Sequence, residues 1–122
     1  MAGVEEAVFV LSAAGFSSGG GTATLHGLSP ATLYVADRPG REVGHLTSRR
    51  FVERWAERFA GDPPSAVVSF VDRDGGDAVV VLSSPILTGD VLTYKVAVLE
   101  GLLPAESGPC AVFIDAAGRA SS

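Results

Sequence analysis

Short apolar runs separated by turn residues recur along the chain. Residues 7–11 (Ala-Val-Phe-Val-Leu), 22–26, 32–36, 66–71, 78–82, 91–99 and 111–114 are each rich in β-branched or aromatic side chains. Such runs at regular spacing predict about seven strands. In residues 91–99, Leu92, Tyr94, Val96 and Val98 alternate with Thr93, Lys95 and Ala97, so one face of that strand is expected to be wet. Residues 78–82 are apolar on both faces, which predicts a central strand. Ser29-Pro30, Asp72-Arg73-Asp74-Gly75-Gly76 and Thr88-Gly89-Asp90 supply turn chemistry between the runs. The glycine-rich residues 15–21 are read as a flexible hairpin loop. A phosphate cradle would need a helix directly after it, and here the alternating 22–26 follows.

One segment has a different period. Phe51, Trp55 and Phe59 recur every four residues with Val52 alongside, while Arg49, Arg50, Glu53, Arg54, Glu57 and Arg58 take the other faces. The spacing predicts one amphipathic helix over 47–60, capped by Thr47 or Ser48 and ended by Gly61 and Asp62-Pro63-Pro64. A short extended piece, 42–46, leads into it. The predicted architecture is mainly β: an antiparallel sandwich or small barrel of about seven strands with this helix laid on it. Residues 1–115 make one domain, with 116–122 as a tail.

At 122 residues with 47% hydrophobic and 19% charged, the chain can build a core, and disorder is excluded. No apolar run approaches the ~20 residues of a membrane-spanning helix. The net charge of −5 argues against general nucleic-acid binding. Arg38, Arg41, Arg49, Arg50, Arg54 and Arg58 nevertheless concentrate six of nine basic residues in one stretch. That asymmetry fits either a solvated helix face or a site for an anion or acidic partner. A lone cysteine, Cys110, rules out an intrachain disulfide, and the acidic start does not read as a secretory leader, so a cytoplasmic protein is expected.

Candidate chemistry is sparse. His26, His45 and Cys110 lack metal-ligand spacing, and no metal or cofactor is expected. Cys110 reads as a small buried residue. The unusual segment is Asp37-Arg38-Pro39-Gly40-Arg41-Glu42-Val43-Gly44-His45, which gathers a carboxylate, two guanidinium groups and an imidazole. Arg38 and Arg41 could hold a carboxylate or phosphate by fork-like hydrogen bonds, and His45 with Asp37 could do acid–base work. A structural role, fastening the loop, competes with both. Tyr34 and Trp55 are candidates to line a pocket, with core packing the competing role for Trp55.

The residues Tyr34-Val35-Ala36-Asp37-Arg38-Pro39, Arg41, Gly44-His45, Phe51, Trp55, Phe59 and Asp62-Pro63-Pro64 carry a resemblance. So do Ser84-Pro85, Leu92-Thr93-Tyr94 and the closing Gly108-Pro109 with Val112-Phe113-Ile114-Asp115. The chain resembles a group of small, often exported bacterial and archaeal proteins with a Phe/Tyr-x-x-Asp-Arg-Pro motif and an Asp-Pro-Pro-Asn-Ala segment. It departs at Ser65, where Asn is usual, and in lacking the export signal. The resemblance implies no activity. It implies that Asp37, Arg38, Trp55, Asp62 and Asp115 form one structural system, with Arg38 reaching the Asp62 loop.

Two functions follow from the sequence. The first is a binding module for a small molecule or protein partner, with a pocket or face beside the helix. The second is a cofactor-free cyclase or isomerase of an apolar metabolite, using Asp37, Arg38 and His45. Edge strands would also allow a homodimer.

Overall fold

The computed structural model describes residues 7–36, 41–59, 61–72 and 77–115. These form nine strands, all paired antiparallel, and two short helices. The strands are β1 (Ala7–Gly19), β2 (Thr22–Leu28), β3 (Ala31–Ala36), β4 (Glu42–Thr47), β5 (Ser65–Phe70), β6 (Ala78–Thr88), β7 (Val91–Glu100), β8 (Glu106–Ser107) and β9 (Cys110–Asp115). The sheet runs β2-β7-β6-β5-β9-β1-β3-β4, and β1 also pairs with β2. That extra pairing closes β1, β2, β7, β6, β5 and β9 into a six-stranded ring. Of the two architectures the sequence left open, the chain adopts the barrel.

The thirteen residues of β1 explain how a ring and a flap coexist. On one side, residues 7–10 pair with β3 and residues 13–19 pair with β2. The opposite side pairs with β9 and, briefly, β8. Its first half therefore carries β3 and β4 away from the ring as a two-stranded flap. The changeover lies near Gly27, whose φ of +65° brings its Cα side against Ala14. There the inward positions change phase, from Ala13 to Phe16 on β1 and from Leu28 to Leu25 on β2. Glycine supplies the left-handed conformation that the bend needs.

The gap between flap and ring is filled by the aromatic segment. It consists of α1 (Ser48–Glu53) and α2 (Trp55–Arg58), not the single helix expected over 47–60. Arg54, at φ −97° and ψ 11°, separates them, although the Arg54, Arg58 and Phe59 amides still donate to the carbonyls four residues back. The break lets one aromatic stripe serve two strands: Phe51 packs on Phe9 of β1 at 4.9 Å, and Trp55 reaches Tyr94 of β7 at 5.2 Å. Thr47 is the cap, its Oγ1 accepting from the Arg50 amide at 3.0 Å. Beneath it, Ser48 donates to the Ser29 carbonyl at 2.7 Å, so Thr32 donates to the Ser48 oxygen, also at 2.7 Å. Both hydroxyls of this pair are buried and satisfied, as burial of polar groups requires.

Two other expectations change. Residues 15–19 belong to β1, with only Gly20 and Gly21 in the turn, at φ +62° and +83°. Consecutive positive φ values are the two-residue hairpin geometry whose twist matches its strands. β6 continues through Pro85 because the register shifts between Ser83 and Ile86, and a bulge tolerates a residue with no amide donor.

The barrel interior is full. Phe16, Leu25, Val68, Leu82, Tyr94 and Val112 surround a void of only ≈ 10 Å³, at the limit of what holds one water. Tyr94 is 2% exposed and its hydroxyl has no hydrogen-bond partner among the described residues, while burial pushes its ionisation well above the usual phenol range. An unsatisfied buried hydroxyl destabilises, so Tyr94→Phe is expected to raise unfolding free energy by about 1 kcal/mol. Urea denaturation tests this, and a loss of stability instead would mean that the hydroxyl has a partner in solution.

Candidate functional site

Asp37 and Arg38 lie outside the described residues, so the proposed link from Arg38 to the Asp62 loop does too. The other sequence candidates separate in space. His45 pairs with Leu33 on the outer face of the flap and is exposed. Arg41 is exposed just before β4. Tyr34 is half-buried on the flap's inner face, its ring lying across Gly44 and 6.2 Å from the Phe9 ring. Gly44 has no side chain, and the tyrosine ring covers that vacancy. Trp55 is buried among Phe51, Phe59 and Tyr94 and lines neither of the grooves beside the helices. Cys110 is buried, which pushes its thiol up to about 11 and makes it a poor nucleophile. No group of three His, Cys, Asp or Glu among the described residues could hold a metal ion.

Two open grooves flank the helical segment. One of ≈ 530 Å³ lies between Leu28, Pro30, Thr47, Arg49, Leu87 and Asp90. The other, ≈ 440 Å³, is lined by Leu46, Thr47, Arg50, Arg54 and Arg58. These three arginines follow the aromatic stripe one residue behind at each turn (50/51, 54/55, 58/59), so burying the stripe sets all three along its flank. Their shared spacing was the signal in the sequence. As a solvated helix face, it assigns them no site.

Arg58 is the unusual member. Its guanidinium carbon stands 4.7 Å from the centroid of the Phe9 ring, and its buried Nε has no hydrogen-bond partner among the described residues. Burial, and then the neighbouring Arg54 charge, lower its pKa, with Glu57 acting the other way. Glu57 itself is taken by Arg54, at 3.2 Å in an exposed pair. Stacking on Phe9 offsets part of the desolvation, since a cation over a ring face is attracted to its quadrupole. A complementary anion in the groove would offset more.

Comparison with protein-family models, with curated proteins and with solved structures finds no match for this chain. The geometry of the site stands by itself.

A second surface lies on the outside. The cross-strand row His45–Leu33–Val10–Phe113–Val67–Val79 crosses six strands, and Val43–Val35–Val8 lies beside it. Among the described residues, six of the eleven exposed large hydrophobic side chains (Val8, Leu33, Val35, Val43, Val67 and Phe113) are in these rows. The only titratable neighbours in the two rows are His45 and Asp115. No described helix is long and apolar enough to cross a membrane.

Proposed function

We propose that the protein is a binding module whose site is the arginine groove beside the helical segment, and that its ligand carries an anionic group. The observation that carries this reading is Arg58, a half-buried cation with an unpartnered Nε, in a groove shared with Arg50 and Arg54. Guanidinium groups recognise carboxylate and phosphate oxygens by planar, bidentate hydrogen bonds, and more strongly where water is partly excluded. The packed barrel interior favours this outer groove over an internal ligand. His45 is exposed and lines neither groove, so it gives the cyclase or isomerase reading no support.

Thermal unfolding in the presence of phosphate, succinate and a neutral control such as glycerol tests the reading. An anion at 100 times its Kd stabilises by about 2.7 kcal/mol, which raises Tm by several degrees in a domain of this size. Arg50→Gln should at least halve the rise while leaving the unliganded Tm nearly unchanged, because Arg50 is exposed. Equal Tm with every anion would refute the proposal.

The outer wall supports a second reading, self-association. Its row of six strands spans about 24 Å at ~4.8 Å per strand. A second copy is the occupant we favour, because a chain of net charge −5 repels itself least where two nearly neutral faces meet. Sedimentation velocity from 1 to 100 µM is expected to show dimer growing with concentration, and Leu33→Glu should hold the protein monomeric. A wild-type monomer at 100 µM would exclude it.

A further inference from the structure

The groove says more about its ligand than the sign of its charge. We infer that it takes a doubly charged phosphate monoester, held between Arg50, Arg58 and the Thr47 hydroxyl. This inference rests on the anion-binding reading above and narrows it to one chemical class.

Charge comes first. Arg50, Arg54 and Arg58 line the groove, and Glu57 pairs with Arg54 at 3.2 Å. Two guanidinium charges remain without a carboxylate among the described residues. A dianion balances them, whereas a monocarboxylate leaves one uncompensated beside a ligand that has displaced water. Donor geometry points the same way. Thr47 Oγ1 accepts from the Arg50 amide, which leaves its hydroxyl hydrogen to donate into the groove. Arg50 and Arg54 project from the helical segment, Arg58 is fixed over Phe9, and Thr47 ends β4. Donors supplied to one groove by both the strand end and the helical segment suit the tetrahedral oxygens of a phosphate better than the two coplanar oxygens of a carboxylate. Leu46 supplies an apolar floor for the ester's carbon.

The phosphate class has a signature that the protein cannot imitate. A phosphate monoester loses its second proton near pH 6, whereas a sulfate ester remains a monoanion. The groove's lining is Arg50, Arg54 and Arg58 from the helical segment with Thr47 and Leu46 from β4; Glu57 pairs with Arg54, and Phe9 lies beneath Arg58. None is a histidine; His45, two residues before Thr47 on β4, is exposed and is not among the lining residues. Methyl sulfate does not titrate in this range and reports any contribution from His45 or Glu57, so a change in affinity between pH 5 and 7.5 that is confined to methyl phosphate belongs to the ligand.

Titration calorimetry with methyl phosphate and methyl sulfate at pH 7.5 and pH 5 makes the test. Methyl phosphate is expected to bind about tenfold more weakly at pH 5, following its dianion fraction. Methyl sulfate should bind at least tenfold more weakly than methyl phosphate at pH 7.5 and show no pH dependence. Arg50→Gln should weaken methyl phosphate binding at least tenfold, and Thr47→Ser, which keeps the hydroxyl and the cap, should preserve it. Equal binding of the two esters, with no pH dependence, would overturn the phosphate assignment while leaving an anion groove. Binding of neither ester, nor of succinate, would overturn both readings. A phosphoserine peptide run beside methyl phosphate assigns the source. Equal affinity means the group alone is read, and tenfold tighter peptide binding places the phosphate on a polypeptide.

Discussion

Trp55→Ala is expected to cost about 3–5 kcal/mol of unfolding free energy, the largest single loss available in this protein. The indole ties the helical segment to β7, as Phe51 ties it to β1. It meets Phe51 edge-on at 5.7 Å, Phe59 at 4.5 Å and Tyr94 of β7 at 5.2 Å. Removing it deletes buried area and three aromatic contacts at once. The cavity cannot collapse easily, because rigid strands form one of its walls. Domains of this size have about 5–15 kcal/mol in total, so the variant should be near its unfolding midpoint in low urea. Arg50, Arg54 and Arg58 ride on the same segment, so anion binding should fall with it although Trp55 touches no ligand. Trp55→Phe retains the stack and should lose less than half as much. A Trp55→Ala protein with wild-type urea midpoint would show that the helical segment contributes nothing to the barrel.

Gly101→Ala is the second large effect, about 2–4 kcal/mol, combining backbone strain with overpacking. Gly101 ends β7 at φ +80°, where an L side chain is strained. An added Cβ would also stand 2.6 Å from the Asp77 carbonyl oxygen and 3.1 Å from Ala78 Cα. Both obstacles are backbone at the start of β6, so no side-chain rotation relieves them. Gly20→Ala is the control: φ is +62°, yet nothing lies within 4 Å of the added carbon. It should lose about 1 kcal/mol from φ alone. Equal losses at the two positions in chemical denaturation would remove steric contact from the explanation.

The sequence announces the strands wherever alternation or β-branching is strong, as in 91–99 and 111–114. It is silent where pairing is made by backbone alone. Residues 15–19 are Gly, Phe and Ser, which look like loop, yet they pair residue for residue with 22–26 and lengthen β1 until it can serve both β3 and β2. Barrel closure depends on that extra length, so the pattern of runs could not choose barrel over sandwich. The period of four through Phe51, Trp55 and Phe59 locates the helical segment correctly. Its break at Arg54 comes from two strands demanding contact with one stripe, a tertiary requirement with no local trace. The same period carries Arg50, Arg54 and Arg58 to a common groove. Composition leaves them either solvent-facing charge or an anion site, because the sequence cannot reveal that Phe9 lies beneath Arg58.

The ring closes between β1 and β9, where Val8 stands opposite Asp115 and Ala13 opposite Cys110. These partners are about a hundred residues apart in the chain, the most distant pairing in the barrel. Proteins dominated by such contacts fold on the millisecond-to-second scale, because the chain must be gathered before any reward is returned. During synthesis, β1 emerges first and must wait for the last strand of the ring, its Val8, Val10 and Phe9 edge meanwhile open to other chains. The step that completes the barrel is thus also the one that ends its exposure to aggregation.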